Sequence, residues 1–143
     1  MCDLHRRNFI LNPNSALFIV LPVITFMYFG LVNKMKNENI NFGNLDAEAF
    51  HEMLMKDPDA VLIDVRTPGE NSLSRIPRSN LIDINNPSFA EEIEKLDKSK
   101  NYYLYCRSGV RSYHACNYML KIGFKSVYNL KPGIIGWQGE IES

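Results

Sequence analysis

An α/β fold, a small and mainly parallel sheet flanked by helices, is predicted by three features of the 143-residue sequence. Short apolar runs of strand length alternate with stretches whose apolar residues recur at helical spacing. The run 60–65, Ala-Val-Leu-Ile-Asp-Val, is almost continuously apolar, as a strand covered on both faces has to be. Tyr102 to Tyr105 lead into Cys106, a polar turn containing Gly109, and a helical stretch from Arg111 to Ile122, which together form a strand–turn–helix unit.

The chain divides into an N-terminal segment 1–36, a linker 37–44 and a domain 45–143. Within the first part, residues 16–32 form an apolar run with Arg6 and Arg7 before it and Lys34 and Lys36 after it. Seventeen residues are at the short end of a membrane span and exceed a signal-peptide core, and no Ala-x-Ala-like cleavage site follows. The run is therefore read as a membrane tether. Its basic flanks are nearly matched and choose no orientation. A start at Met35 is the alternative, and it would leave a cytoplasmic domain without the tether.

Asp46 is placed to cap a helix carrying Glu48, Phe50, Met53 and Leu54, which ends before Asp57-Pro58. The strand 60–65 follows, with Asp64 at its carboxyl end. A strand is expected over 80–84, and a helix over 87–96 capped near Asn86, with Ala90, Ile93 and Leu96 on one side. After the strand 101–105 and the helix 111–122, Gly123 is placed to end the helix. Residues 126–130 supply the last strand, and Lys131-Pro132-Gly133 turns into a closing apolar segment where Trp137 is expected to pack.

Sixteen basic and sixteen acidic residues balance, which gives no reason to expect a nucleic-acid partner. Three of the basic residues and one acidic residue lie at or before Lys34, so the remainder is mildly acidic and an anionic substrate would be drawn by local arginines. Cys2, Cys106 and Cys116 are too few for a disulfide framework. His114 has no metal-ligand companion, and neither a metal nor another cofactor is expected.

The chemistry points to Cys106. Backbone N–H groups of a tight turn and of a helix start converge on its centre, where an anion is stabilised. A free cysteine, with a pKa of about 8.5, is mostly thiol at neutral pH, and such surroundings lower that value. A helix terminus supplies only about 0.3–1 kcal/mol, whereas each hydrogen bond to a charged group supplies roughly 1.5–3 kcal/mol. The turn amides therefore carry more than the helix dipole, with Arg107 and Arg111 adding positive charge.

Cys106-Arg107-Ser108-Gly109-Val110-Arg111 resembles the active-site loop of the rhodanese sulfurtransferases. Val61-Leu62-Ile63-Asp64-Val65-Arg66-Thr67-Pro68-Gly69-Glu70, followed by Ile76-Pro77, resembles that family's first signature. Gly123-Phe124, Val127-Tyr128-Asn129-Leu130 and Gly133-Ile134-Ile135-Gly136-Trp137 resemble its closing segment. The chain departs from the family at Asn71, where relatives usually carry an aromatic residue, and at Arg75-Ile76-Pro77-Arg78 in place of a His-Ile-Pro-Gly run. The resemblance implies a single rhodanese-like domain in which Cys106 is the nucleophile, residues 107–111 bind substrate, and Asp64 and Arg66 order the surrounding loops. It implies a small anionic sulfur donor such as thiosulfate and a thiol or cyanide acceptor, with a protein persulfide as a further partner.

Two other readings share this sequence. A cysteine-dependent phosphatase uses a similar anion cradle, but its motif places the catalytic arginine where this chain has Ser112, and Arg111 comes one residue early. The shorter loop suits a single sulfur atom better than a phosphoryl group. A rhodanese-like module that only binds a partner is the non-enzymatic alternative, and the intact cysteine loop argues against it. Cys116 is read as a small packed residue on the helix after the loop, and not as a resolving thiol.

Overall fold

The computed structural model describes residues 40–143. The tether at 16–32, Cys2 and the alternative start at Met35 lie outside the described residues. The elements run β1 (Asn41–Leu45), α1 (Ala47–Lys56), β2 (Ala60–Asp64), α2 (Pro68–Leu73), β3 (Asn80–Leu81), α3 (Phe89–Glu94), β4 (Asn101–Tyr105), α4 (Val110–Lys121) and β5 (Ser126–Leu130), with a 3₁₀ turn at Ile134–Gly136. The strands form one five-stranded sheet in the order β1-β5-β4-β2-β3, and every neighbouring pair is parallel. Among the described residues no helix is long and apolar enough to cross a membrane.

The two-residue period of a strand sends alternate side chains to opposite faces, and each face has its own core. Tyr102, Leu104 and Cys106 join Ile63, Val65, Ile93, Ala115, Met119 and Val127 on the side of α3 and α4. Tyr103 and Tyr105 join Leu62, Phe50, Leu130 and Ile134 on the side of α1 and the 3₁₀ turn. Cys106 thus continues the alternation of β4 by one residue beyond the strand. The strands bring Asp64 and Tyr105 into register, so the loops after β2 and β4 leave the sheet side by side.

Local signals set most boundaries. Asp46 caps α1 through a 2.9 Å bond from the Ala49 N–H to its carboxylate. Gly123, at φ +97°, ends α4 in a left-handed conformation that few other residues adopt. Trp137 packs edge-on against Phe50, with ring centroids 6.1 Å apart.

Four elements differ from the sequence expectation, one of them α2 (Pro68–Leu73), a short helix where none was expected. The linker expected at 37–44 gives way at Asn41 to β1, which pairs with β5 from Asn41↔Ser126 to Leu45↔Leu130. Its Asn-Phe-Gly-Asn-Leu sequence has little strand propensity, so this edge strand is held by the backbone of β5. The strand expected over 80–84 shortens to Asn80–Leu81, although the N–H groups of Ile82 and Ile84 still bond to the Asp64 and Val65 carbonyls at 2.9 and 3.2 Å. The helix expected over 87–96 shortens to Phe89–Glu94, with Ile93 buried and Ala90 exposed.

Candidate functional site

Cys106 lies just past β4, and its side chain is 1% exposed. The Gly109 N–H donates to its Sγ at 3.2 Å, and the Ser112 hydroxyl donates at 3.4 Å. Burial opposes ionisation of this thiol. The hydroxyl and N–H of Ser112 and the amides of Ser108 and Gly109 outweigh it and hold the pKa below the ordinary cysteine value.

The loop takes this shape because its carbonyls are tied down behind it. Ile134 N–H donates to the Cys106 carbonyl at 2.8 Å and Ile135 N–H to the Arg107 carbonyl at 3.3 Å. In a trans peptide the C=O and N–H point in opposite directions, so anchoring the Arg107 carbonyl on the 3₁₀ turn directs the Ser108 N–H the other way, toward the sulfur. Gly133 makes that approach feasible. Its φ is +65°, and a Cβ there would run into the Arg107 carbonyl and the Ser108 nitrogen. Gly109, at φ +84°, is equally constrained, since a Cβ would collide with the Lys131 carbonyl.

Arg111 is held by Glu70. Its guanidinium makes a two-pronged contact with that carboxylate at 2.6 and 2.9 Å. Glu70 is also the far end of a capping box on α2, accepting from the Thr67 N–H at 3.1 Å. The Arg111 hydrogen bonds, aided by Thr67 and opposed by burial, draw its pKa down to about 2. One carboxylate therefore ties α2 to the start of α4.

Asp64 and Arg66 form a pair of their own, 0% and 3% exposed. Arg66 Nη2 donates to Asp64 Oδ2 at 2.6 Å and to the Ser74 carbonyl at 2.6 Å, and its guanidinium lies 5.3 Å from the Tyr105 ring centre. Burial works against the Arg66 charge, and the Asp64 carboxylate overrides it, raising the guanidinium pKa. Asn71, the departure from the first signature, donates to Asp64 Oδ2 at 3.0 Å. Removing one partner of such a buried pair costs about 3–5 kcal/mol, so its weight is structural.

A model of the rhodanese-like domain matches residues 46–140. The chain belongs to the rhodanese-like family. A sulfurtransferase of Allochromatium vinosum is 36% identical over 98 residues, which cover 65% of this chain and 85% of that one. A tRNA uridine(34) hydroxylase of Hamiltonella defensa is 37% identical, covering 93% of this chain but only 39% of the relative's length. Among solved structures, a rhodanese-like domain protein from Staphylococcus aureus superposes with a TM-score of 0.61 at 25% identity, covering 70% of this chain and 96% of that one.

In this rhodanese-like domain the residues singled out from the sequence fall into two groups. Cys106, Ser108, Gly109 and Arg111 surround one sulfur atom, while Arg107 and Val110 are exposed on the outer side of the loop. Asp64 and Arg66 brace the neighbouring loop from within. Arg75 bonds Glu142 at 2.9 Å and so pins the C-terminal segment, leaving Arg78 as an exposed cation. Cys116 is fully buried and burial pushes its pKa up, as suits a packed residue. Sequence reasoning missed Ser112, Glu70, Asn129 and Gly133 as parts of the site. Glu70 and Asn129 act over 41 and 20 residues of separation, where no local pattern shows the pairing. Ser112, on the first turn of α4, was the one with a local signal.

Proposed function

We propose that this rhodanese-like protein is a sulfurtransferase that carries sulfane sulfur on Cys106. One observation carries the reading: the Cys106 sulfur already accepts hydrogen bonds from the Gly109 N–H and the groups of Ser112, while the N–H groups of Val110 and Arg111 have no acceptor among the described residues. Those two amides are free for a second atom bonded to the first. That is the requirement of a persulfide, whose negative charge resides on the outer sulfur.

The Cys106 thiolate attacks the outer sulfur of a donor. With thiosulfate, a Cys–S bond to that sulfur forms as the donor's own S–S bond breaks, and sulfite leaves with the electron pair. An acceptor thiolate or cyanide then attacks the outer sulfur and releases Cys106 as thiolate, so no external oxidant or reductant is needed. Arg107, exposed and without a charged partner among the described residues, is the loop cation available to an anionic donor. Arg111 is engaged with Glu70. A protein persulfide and a protein thiol fit the same two steps.

Steady-state turnover of thiosulfate with cyanide tests this reading, and double-displacement kinetics are expected. A generic aryl phosphate should not be hydrolysed. Cys106-dependent phosphatase activity would reverse the assignment, and failure to take up sulfur from any donor would favour a module that only binds a partner. We also propose, on sequence alone, that residues 16–32 tether the protein to a membrane. It should then stay with membranes through high-salt washing and be released by detergent, whereas a soluble product beginning at Met35 would remove the tether.

A further inference from the structure

We propose that Asn129 is a positioning residue for the sulfur-carrying loop, fixing the Gly109–Val110 peptide from the sheet so that the loop N–H groups meet the sulfur. The inference rests on the reading of Cys106 as the reactive thiol. Asn129 is on β5, beside the loop, and is 1% exposed. Its Nδ2 donates to the Gly109 carbonyl at 3.1 Å and to Asn44 Oδ1 at 2.8 Å, which uses both amide hydrogens.

Its Oδ1 is buried and has no hydrogen-bond partner. Turning the carboxamide over would set that oxygen against the Gly109 carbonyl and Asn44 Oδ1, so the nitrogen-inward orientation is the one the network permits. A buried acceptor left unpaired is costly, and it is tolerated where the other half of the group serves a purpose. Here the other half holds the catalytic loop.

The Gly109 carbonyl also accepts from the Tyr113 N–H at 3.1 Å and lies 3.2 Å from the Ser112 hydroxyl, whose single hydrogen it shares with the Cys106 sulfur. Both belong to α4 and move with the loop they brace. Asn129 is the donor from a different element, rooted between β1 and β4 in the sheet. Gly109 is then gripped at both ends: its carbonyl by Asn129, and its N–H by the Cys106 sulfur at 3.2 Å. Holding that carbonyl also sends the Val110 N–H to the opposite side of the peptide, away from Asn129.

The test is the pH profile of Cys106 alkylation by iodoacetamide in the full chain. The charged and titratable groups facing the thiol are Arg111, itself paired with Glu70, and Cys116, with Arg107 on the same loop, and none is altered by changing Asn129. Asn129→Ala should move the profile to higher pH and lower the rate at pH 7 by roughly threefold to tenfold. Asn44→Ala, which removes only the other acceptor, should leave it in place. Asn129→Thr provides the same reading in a side chain closer in volume. In the unaltered protein, the Asn129 side-chain NH₂ signals in NMR should shift with the midpoint of Cys106 ionisation. A folded Asn129 variant with an unshifted profile, or NH₂ signals indifferent to that ionisation, overturns the proposal. Sulfur transfer by Cys106→Ser would instead overturn the reading beneath it.

Discussion

Cys106 and Cys116 belong to the same buried cluster, and neither is more than 1% exposed, yet their thiols are driven in opposite directions. Cys116 sits within α4, where the helical N–H groups are committed to helical carbonyls, and burial raises its pKa. Cys106 sits before the same helix, where the first-turn N–H groups have no helical acceptor and the Ser112 hydroxyl lies 3.4 Å from the sulfur, and together they overcome the cost of burial. Burial alone therefore does not set the direction in which a thiol is driven in this domain. The supply of donors does.

Exchanging each thiol in turn should break the comparison most visibly. Cys106→Ser should reduce sulfur transfer to background, while Cys116→Ser should retain most of it, as read from thiosulfate turnover with matched melting temperatures. The next largest effect is expected from Gly109→Ala. The added methyl group collides with the Lys131 carbonyl at a residue of φ +84°, and a misplacement of the loop by about 1 Å costs on the order of 10²-fold in rate.

Ser112→Ala removes one donor from the Cys106 sulfur and leaves Cys116 untouched. Alkylation of Cys106 at neutral pH should slow by about tenfold, since a hydrogen bond to a charged group contributes about 1.5–3 kcal/mol and the remaining amides compensate in part. Equal rates in the variant and the unaltered protein would mean that the amides suffice alone.

The smallest effect concerns Glu70. Its folded pKa of about 2 lies below the ordinary 4.5, so its ion pair stabilises the fold above about pH 4.5, and that contribution is lost as pH falls toward 2. Its side chain is 29% exposed, which limits the gain. Glu70→Gln should melt at a lower temperature at pH 7, and the difference from the unaltered protein should narrow on acidification. A difference that does not change with pH would remove the charge from the explanation.

How much of this was legible in the sequence follows from the range of each interaction. The strand 60–64, the strand 101–105 and the turn after Cys106 could be read because their signals are local: an apolar run, a β-favouring run, and a glycine before a helix. β1 could not, because two asparagines and a glycine in five residues form a strand only once β5 is present. Arg111 was visible as a cation near the thiol, but its two-pronged contact with Glu70 was not, because 41 residues separate the two. Asn71 looked like a defect in a signature and turns out to complete the hydrogen bonding of Asp64.

The central claim is that the donors around Cys106 make it, and not its buried neighbour, the carrier of sulfur. Intact-mass analysis after incubation with thiosulfate, followed by peptide mapping, tests this most directly. A gain of one sulfur atom is expected on the peptide containing Cys106, removed by an added thiol and absent in Cys106→Ser. Sulfur found on Cys116, or no gain in mass with any sulfane donor, would contradict it.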